Sequence, residues 1–406
     1  MIATTPNNIL CIKRLRHEEE IEDLVIKLYF ILLSFTTVMS VFDQISMYSG
    51  AFTTLASAGI FPFFKFIKDI LTVLLFFALL PLFLYRTKTN VFTTTLLFSF
   101  FVFTSAAYTY FTTKEIYFVA GFRWILPVFI IIFLGVIDLK KFEKMAVYII
   151  LYIFVINIAT QIYQLAFMPH WFGTTELGLS SRVMGIFMAP NTSAFFTCTA
   201  LAFLVYKKEI ISRKAIIFLI LFGMLSIFLT RSGTGLITLI TLFVILIVPI
   251  RYIIFSALVL IIILPIVFLN LDIILNRENY VALSGIGRFN IMISKLKNVG
   301  FLSGEFGYST NTANLLFSML DPTKVYEASD SIIASIQGNL GYLGFAMYLS
   351  VVIYFTYTAL IDKNKSKLSI IAVFVIFGMT TVTFEAFPMI YLLPIIYGNA
   401  SGEIRK

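Results

Sequence analysis

Between Tyr252 and Phe268 the chain reads YIIFSALVLIIILPIVF without a charged side chain, and LTVLLFFALLPLFLY from Leu71 shows the same character far upstream. Such segments approach or reach the ~20 residues a helix needs to cross ~30 Å of hydrocarbon. Lipid offers the backbone no hydrogen-bond partner, so a crossing segment must close its own hydrogen bonds as a helix. Apolar runs recur along 406 residues that are 60% hydrophobic and only 13% charged, where a soluble domain carries about 25% charge. That balance excludes a soluble chain. The 45 phenylalanines are accordingly lipid-facing and packing residues, not an aromatic cofactor box.

The expected fold is all-α: a polytopic integral membrane protein with about twelve transmembrane helices, near 23–42, 69–85, 91–111, 119–138, 145–166, 191–206, 215–230, 234–250, 252–271, 336–358, 368–385 and 387–399. One membrane domain, 23–399, lies between short tails at 1–22 and 400–406, with main outer loops at 167–190 and 273–335. The first apolar run follows a polar segment with Lys13, Arg14 and Arg16, lacks a small-residue cleavage site, and is expected to remain in the protein. Two cysteines, Cys11 and Cys198, and two histidines, His17 and His170, are too few and too scattered for a disulfide framework or a typical zinc cluster. With the amino terminus inside, inner connections collect Arg86, Lys88, Lys140, Lys141, Lys207, Lys208, Arg213, Arg251, Lys363, Lys365 and Lys367. That is the positive-inside pattern, and it places both termini in the cytoplasm. The net charge of +9 arises mainly from these loops and needs no nucleic-acid partner.

Cations on the outer side stand against that bias, and three of four polar constellations there contain them. Ser181-Arg182-Val183-Met184-Gly185-Ile186-Phe187 leads into Ala189-Pro190-Asn191. Proline suits the first turn of a helix, and the arginine fork suits a phosphate or carboxylate; its plainer role is an interfacial anchor on lipid phosphate. Thr230-Arg231-Ser232-Gly233-Thr234-Gly235 is an expected tight outward turn in which the glycines let the chain reverse. Ser284-Gly285-Ile286-Gly287-Arg288-Phe289-Asn290 opens an amphipathic pattern with Phe289, Met292, Ile293 and Leu296 on one face, expected to lie as a helix on the outer leaflet. Tyr326-Glu327-Ala328-Ser329-Asp330-Ser331 then enters a span with Gly338, Gly341 and Gly344 at a spacing suited to close helix packing. Asp330 there is read either as a proton acceptor or as the cap of the helix that follows. Glu385 before Phe387-Pro388 is an isolated outer carboxylate.

In this order the motifs resemble those of the O-antigen polymerase and ligase superfamily. The matching residues are Arg182, Gly185, Phe187, Pro190 and Asn191, then Thr230 and Ser232, then Gly287 and Arg288, then Asp330, Ser331, Gly341 and Gly344, covering about residues 145–360. The resemblance implies a glycosyltransferase that uses neither metal nor nucleotide cofactor and works at the outer boundary of a bacterial inner membrane. Arg182 and Arg288, with Arg231 less closely matched, would hold the pyrophosphate of undecaprenyl-linked glycans. Ligases place a histidine where this chain has Asp330, and Asp-Ser there looks like the polymerase branch. A polymerase moves a growing glycan onto a hydroxyl of the next lipid-linked unit, with Asp330 and then Glu327 as candidate bases and Asn191, Asn290 and Tyr308 as substrate contacts. Donor and acceptor glycans, membrane lipid and a chain-length regulator are the implied partners. The rivals are an O-antigen ligase acting on lipid A core and a lipid-linked oligosaccharide flippase or transporter, for which charged residues inside the spans would be expected.

Overall fold

The computed structural model describes residues 6–48, 60–113, 118–167, 182–187, 189–253, 300–310 and 331–400, with isolated positions between 255 and 294. Every regular element among them is helical: α1 (Pro6–Tyr48), α2 (Ile60–Arg86), α3 (Thr89–Thr113), α4 (Phe118–Leu134), α5 (Glu143–Phe167), α6 (Pro190–Leu204), α7 (Arg213–Thr230), α8 (Gly233–Ile247), α9 (Ile332–Ile361), α10 (Lys365–Gly378) and α11 (Met389–Gly398), with short 3-10 turns between some of them. Six stretches among the described residues are long and apolar enough to cross a bilayer: Glu20–Phe42, Phe66–Arg86, Thr89–Thr113, Leu139–Phe167, Arg213–Thr230 and Ile332–Ile361. Their outward faces carry Phe100, Phe111, Tyr152 and Ile353, each more than 60% exposed, which suits hydrocarbon and not water. The expected span at 252–271 and the amphipathic stretch after Arg288 lie largely outside the described residues.

The last two expected crossings, 368–385 and 387–399, are shorter than the apolar pattern suggests. The span expected at 368–385 stops as a helix at Gly378, and a turn and a 3-10 segment, Thr383–Glu385, carry the chain to α11. Helices α6, α8, α10 and α11 have 15, 15, 14 and 10 residues, so at 1.5 Å per residue none exceeds about 23 Å. Such helices can end at membrane depth only where protein surrounds them. The centre provides that: every residue of α6 from Ser193 to Leu204 is buried, and α5, α7, α8 and α10 pack around it.

The bundle has two chemically different ends. At one, Arg86 meets Glu22 at 2.7 Å and Lys207 meets Glu143 at 2.5 Å and donates to the Asn399 carbonyl. Lys365 donates to the Leu246 carbonyl at 2.9 Å and Asn364 to the Ala400 carbonyl at 3.0 Å, tying the last helices to the same end. These contacts gather Arg86, Lys141, Lys207, Lys365 and Lys367, all cations assigned to inner connections from the charge pattern. The opposite end carries the irregular backbone at 182–187, 231–232, 303–310 and 379–388.

Candidate anion site at the end of the bundle

At that second end, α5 finishes with three inward amides, Asn157, Gln161 and Gln164, all buried. They organise the Arg182 segment, whose backbone is not helical and needs outside partners. Gln164 Oε1 accepts from the amides of Met184 (3.1 Å) and Gly185 (2.9 Å), while its Nε2 donates to the Gly185 carbonyl at 2.8 Å. Asn157 Oδ1 accepts from the Ile186 amide at 3.1 Å, and Asn157 and Gln161 both donate to Ser193 Oγ at 3.0 Å. Buried backbone polar groups must be satisfied in this way. Gly185 has φ 63°, and a Cβ there would collide with the Asn157 side chain.

The loop so held delivers Arg182 to the end of α7, where its Nε donates to the Thr230 carbonyl at 2.9 Å. The next residue, Arg231, is the C-cap of α7 and adopts the left-handed conformation, φ 47°. The expected glycine-driven reversal is therefore corrected: the arginine itself turns the chain. Gly235 serves instead to let α8 approach α6, since a Cβ on it would lie 2.9 Å from the Ala194 Cβ. Ser232 caps α8 by accepting from the Gly235 amide at 3.1 Å, and its hydroxyl donates to Asn191 Oδ1 at 2.8 Å. Asn191 lies in the first turn of α6, which Pro190 opens as expected, and its Nδ2 donates to Thr381 Oγ1 at 2.7 Å. Thr234 and Thr380 join the same ring at 2.9 Å. Arg182, Arg231 and Asn191, distant in sequence, are thus brought to one place.

The start of α9 reaches the same place. Ile332 Cγ2 lies 2.7 Å from where a Cβ on Gly378 would sit, just before Thr380 and Thr381. Ser331 caps this helix, its hydroxyl accepting from the Ala334 amide at 3.1 Å, so the cap considered for Asp330 belongs to its neighbour. The glycine repeat also changes meaning: Gly341 (φ 73°, ψ −166°) breaks α9 in two. The amides freed by the break, Tyr342 and Leu343, donate to the carbonyls of Gly300 and Phe301 at 3.2 and 3.4 Å, and the Asn339 carbonyl accepts from Ser303 Oγ at 2.7 Å. Asn339 Oδ1 also accepts from the Gly307 amide at 2.8 Å. The broken helix therefore holds residues 300–310, and with them half-buried Tyr308, against its buried first half. Asn290 is helical and exposed, and Arg288, Glu327 and Asp330 lie outside the described residues.

Comparison with protein-family models, with curated proteins and with solved structures finds no match.

Reading the sequence alone missed a second polar group at this end. Lys68 on α2 is 5% exposed; its ammonium sits 3.2 Å from Asp69 and 3.8 Å from the centre of the Phe387 ring. Arg123 of α4 meets Asp69 at 3.0 Å, and Glu385 is within electrostatic reach of Lys68. Glu385 reads in the sequence as an isolated carboxylate, and Arg123 and Phe387, which complete the group, lie more than fifty positions from Lys68 and Asp69. A Lys-Asp pair opening an apolar run was the one local signal.

Proposed function

We propose that this protein is a membrane glycosyltransferase of the O-antigen polymerase kind, joining undecaprenyl-pyrophosphate-linked repeat units at the periplasmic face of a bacterial inner membrane. The observation that carries the proposal is the convergence of Arg182, Arg231, Asn191 and the Ser331 end of α9 at one end of the bundle, opposite the lysine-rich connections. In this reading the chain crosses the membrane about twelve times with both termini cytoplasmic, and the arginine end faces outward.

The arginines and Arg288 would meet the donor's pyrophosphate. An acceptor hydroxyl oxygen attacks the anomeric carbon, the carbon–oxygen bond to the lipid pyrophosphate breaks, and the pyrophosphate leaves with the electron pair. Its developing charge is stabilised by guanidinium groups already held in place, which need not reorganise as water must. The Thr230 carbonyl and the Gln164 and Asn157 clamp supply that fixity for Arg182. Asp330 is the first candidate to accept the hydroxyl proton and Glu327 the second.

A transporter of lipid-linked oligosaccharide is the second reading, favoured by the charged Lys68, Asp69 and Arg123 within apolar helices. Purified protein in proteoliposomes, given lipid-linked repeat units with EDTA present, separates the readings. Chain lengthening supports the polymerase, transfer only to lipid A core a ligase, and movement across the bilayer without new bonds a transporter. Activity lost to EDTA and restored by Mg²⁺ would overturn the metal-independent chemistry.

A further inference from the structure

Burying ions is costly, and replacing a buried ion pair by apolar residues of similar volume is often neutral or stabilising. Lys68, the buried member of the cluster it forms with Asp69, Arg123 and Glu385, is thus poorly explained by stability alone. Two cations face two carboxylates, so the group is balanced and would gain little from a further anion. It is also open: the Asp69 and Arg123 side chains are 32% and 27% exposed. Asp69, held by both cations, is a well-oriented acceptor, and Arg123 beside it is a planar donor. Paired acceptors and donors with aromatic neighbours are what adjacent sugar hydroxyls on an apolar ring face require. The aromatic neighbours are Phe387, Phe384 and Trp124, the last with its ring 5.3 Å from that of Phe384. The Trp124 indole N–H is buried with no hydrogen-bond partner among the described residues. Glu385 follows closely on Thr381, which binds Asn191 of the arginine site.

We infer that the Lys68, Asp69, Arg123 and Glu385 cluster is a glycan subsite, holding the hydroxyl groups of a neutral sugar beside the anion site. The inference rests on the glycosyltransferase reading above. Glycan bound here carries its anomeric end toward the arginines, which separates recognition of the sugar from recognition of the pyrophosphate.

Trp171→Phe leaves Trp124 as the single tryptophan, a reporter inside the proposed subsite. Full-length protein in nanodiscs is titrated with three probes: the free oligosaccharide repeat unit released from the host's own surface polysaccharide, inorganic pyrophosphate, and O-phosphoethanolamine as a zwitterionic lipid headgroup. The oligosaccharide should change Trp124 emission saturably. Glu385→Gln, and the charge-neutral pair Lys68→Gln/Asp69→Asn, should each weaken that binding about tenfold or more, as loss of a charge-assisted hydrogen bond requires. Pyrophosphate binding, followed by calorimetry, should be unchanged in both and weakened by Arg182→Lys. Oligosaccharide affinity unchanged in either folded variant would overturn the subsite, as would saturation by phosphoethanolamine in its place. Oligosaccharide binding that depends on these residues in a protein indifferent to pyrophosphate would support the subsite and sink the anion-site reading.

Discussion

Gly185 and Arg231 both occupy the left-handed region of backbone space, and for opposite reasons. Gly185 is there because the Asn157 side chain fills the volume a Cβ would need. Gly185→Ala therefore adds a steric collision to a backbone penalty of about 1–3 kcal/mol, and the melting temperature in detergent should fall clearly. Arg231 carries the same kind of backbone penalty with a side chain present, at the turn that follows the Thr230 carbonyl bound by Arg182. Arg231→Gly should relieve strain of up to ~1 kcal/mol and raise the melting temperature, while polymer ladders shorten. Arg182 is oriented through its Nε on the Thr230 carbonyl, a geometry an ammonium cannot copy although it keeps the charge. Arg182→Lys, and Arg288→Lys with it, should each lower chain extension roughly 30- to 1000-fold at normal expression, the cost of one charge-assisted contact in the transition state. Lys208→Ala, exposed at the other end, should leave the ladder intact. Normal ladders from both Arg→Lys variants would return these residues to anchoring roles.

Among the elements, α9 is broken at Gly341, and groups freed by the break find partners outside the helix. Two amides and one carbonyl that an unbroken helix would use internally are given to residues 300–303. An alanine at 341 would meet the Phe301 carbonyl at 2.5 Å and the Ser303 amide at 2.9 Å. Gly341→Ala should therefore undock residues 300–310, seen as faster hydrogen exchange there with little change in the buried α6. Asn339→Leu removes the acceptor of the Gly307 amide and the donor to the Ser309 carbonyl, and should expose the same segment. Unchanged exchange at 300–310 in both variants would show that the break does not hold the loop. The short central helices follow the same physics: α6 can end at Pro190 because α5 supplies side-chain amides to the backbone in front of it.

At the scale of the whole molecule, the lysine-rich connections and the irregular, arginine-bearing backbone lie at opposite ends of the bundle, and the proposed function requires the second to face outward. Lys363 is exposed at the lysine-rich end and Glu305 is exposed at the other. In a cysteine-free background, Glu305→Cys should react with an impermeant maleimide added to intact spheroplasts, and Lys363→Cys only after permeabilisation. The reverse pattern would invert the topology and with it the proposed periplasmic reaction.

The membrane class and most helix positions were legible in the sequence, because apolar length is a local property and lipid leaves the backbone one solution. Charge bias likewise named Arg86, Lys141, Lys207 and Lys365 as companions before any contact was known. Proline at 190 marked the start of α6 for the equally local reason that its missing amide is not needed there. The meaning of the glycines was not legible: Gly185, Gly235 and Gly341 answer respectively to a side chain on α5, a methyl group on α6 and the backbone of residues 300–303. Nor could Asp69 be matched to Arg123, or Asn191 to Thr381, since neither pair is linked by any period along the chain. Local chemistry determined which segments become helices and where their charges fall. Only tertiary structure decided which polar groups meet, because satisfying a buried donor is a question of what lies across the gap and not of what lies next along the chain.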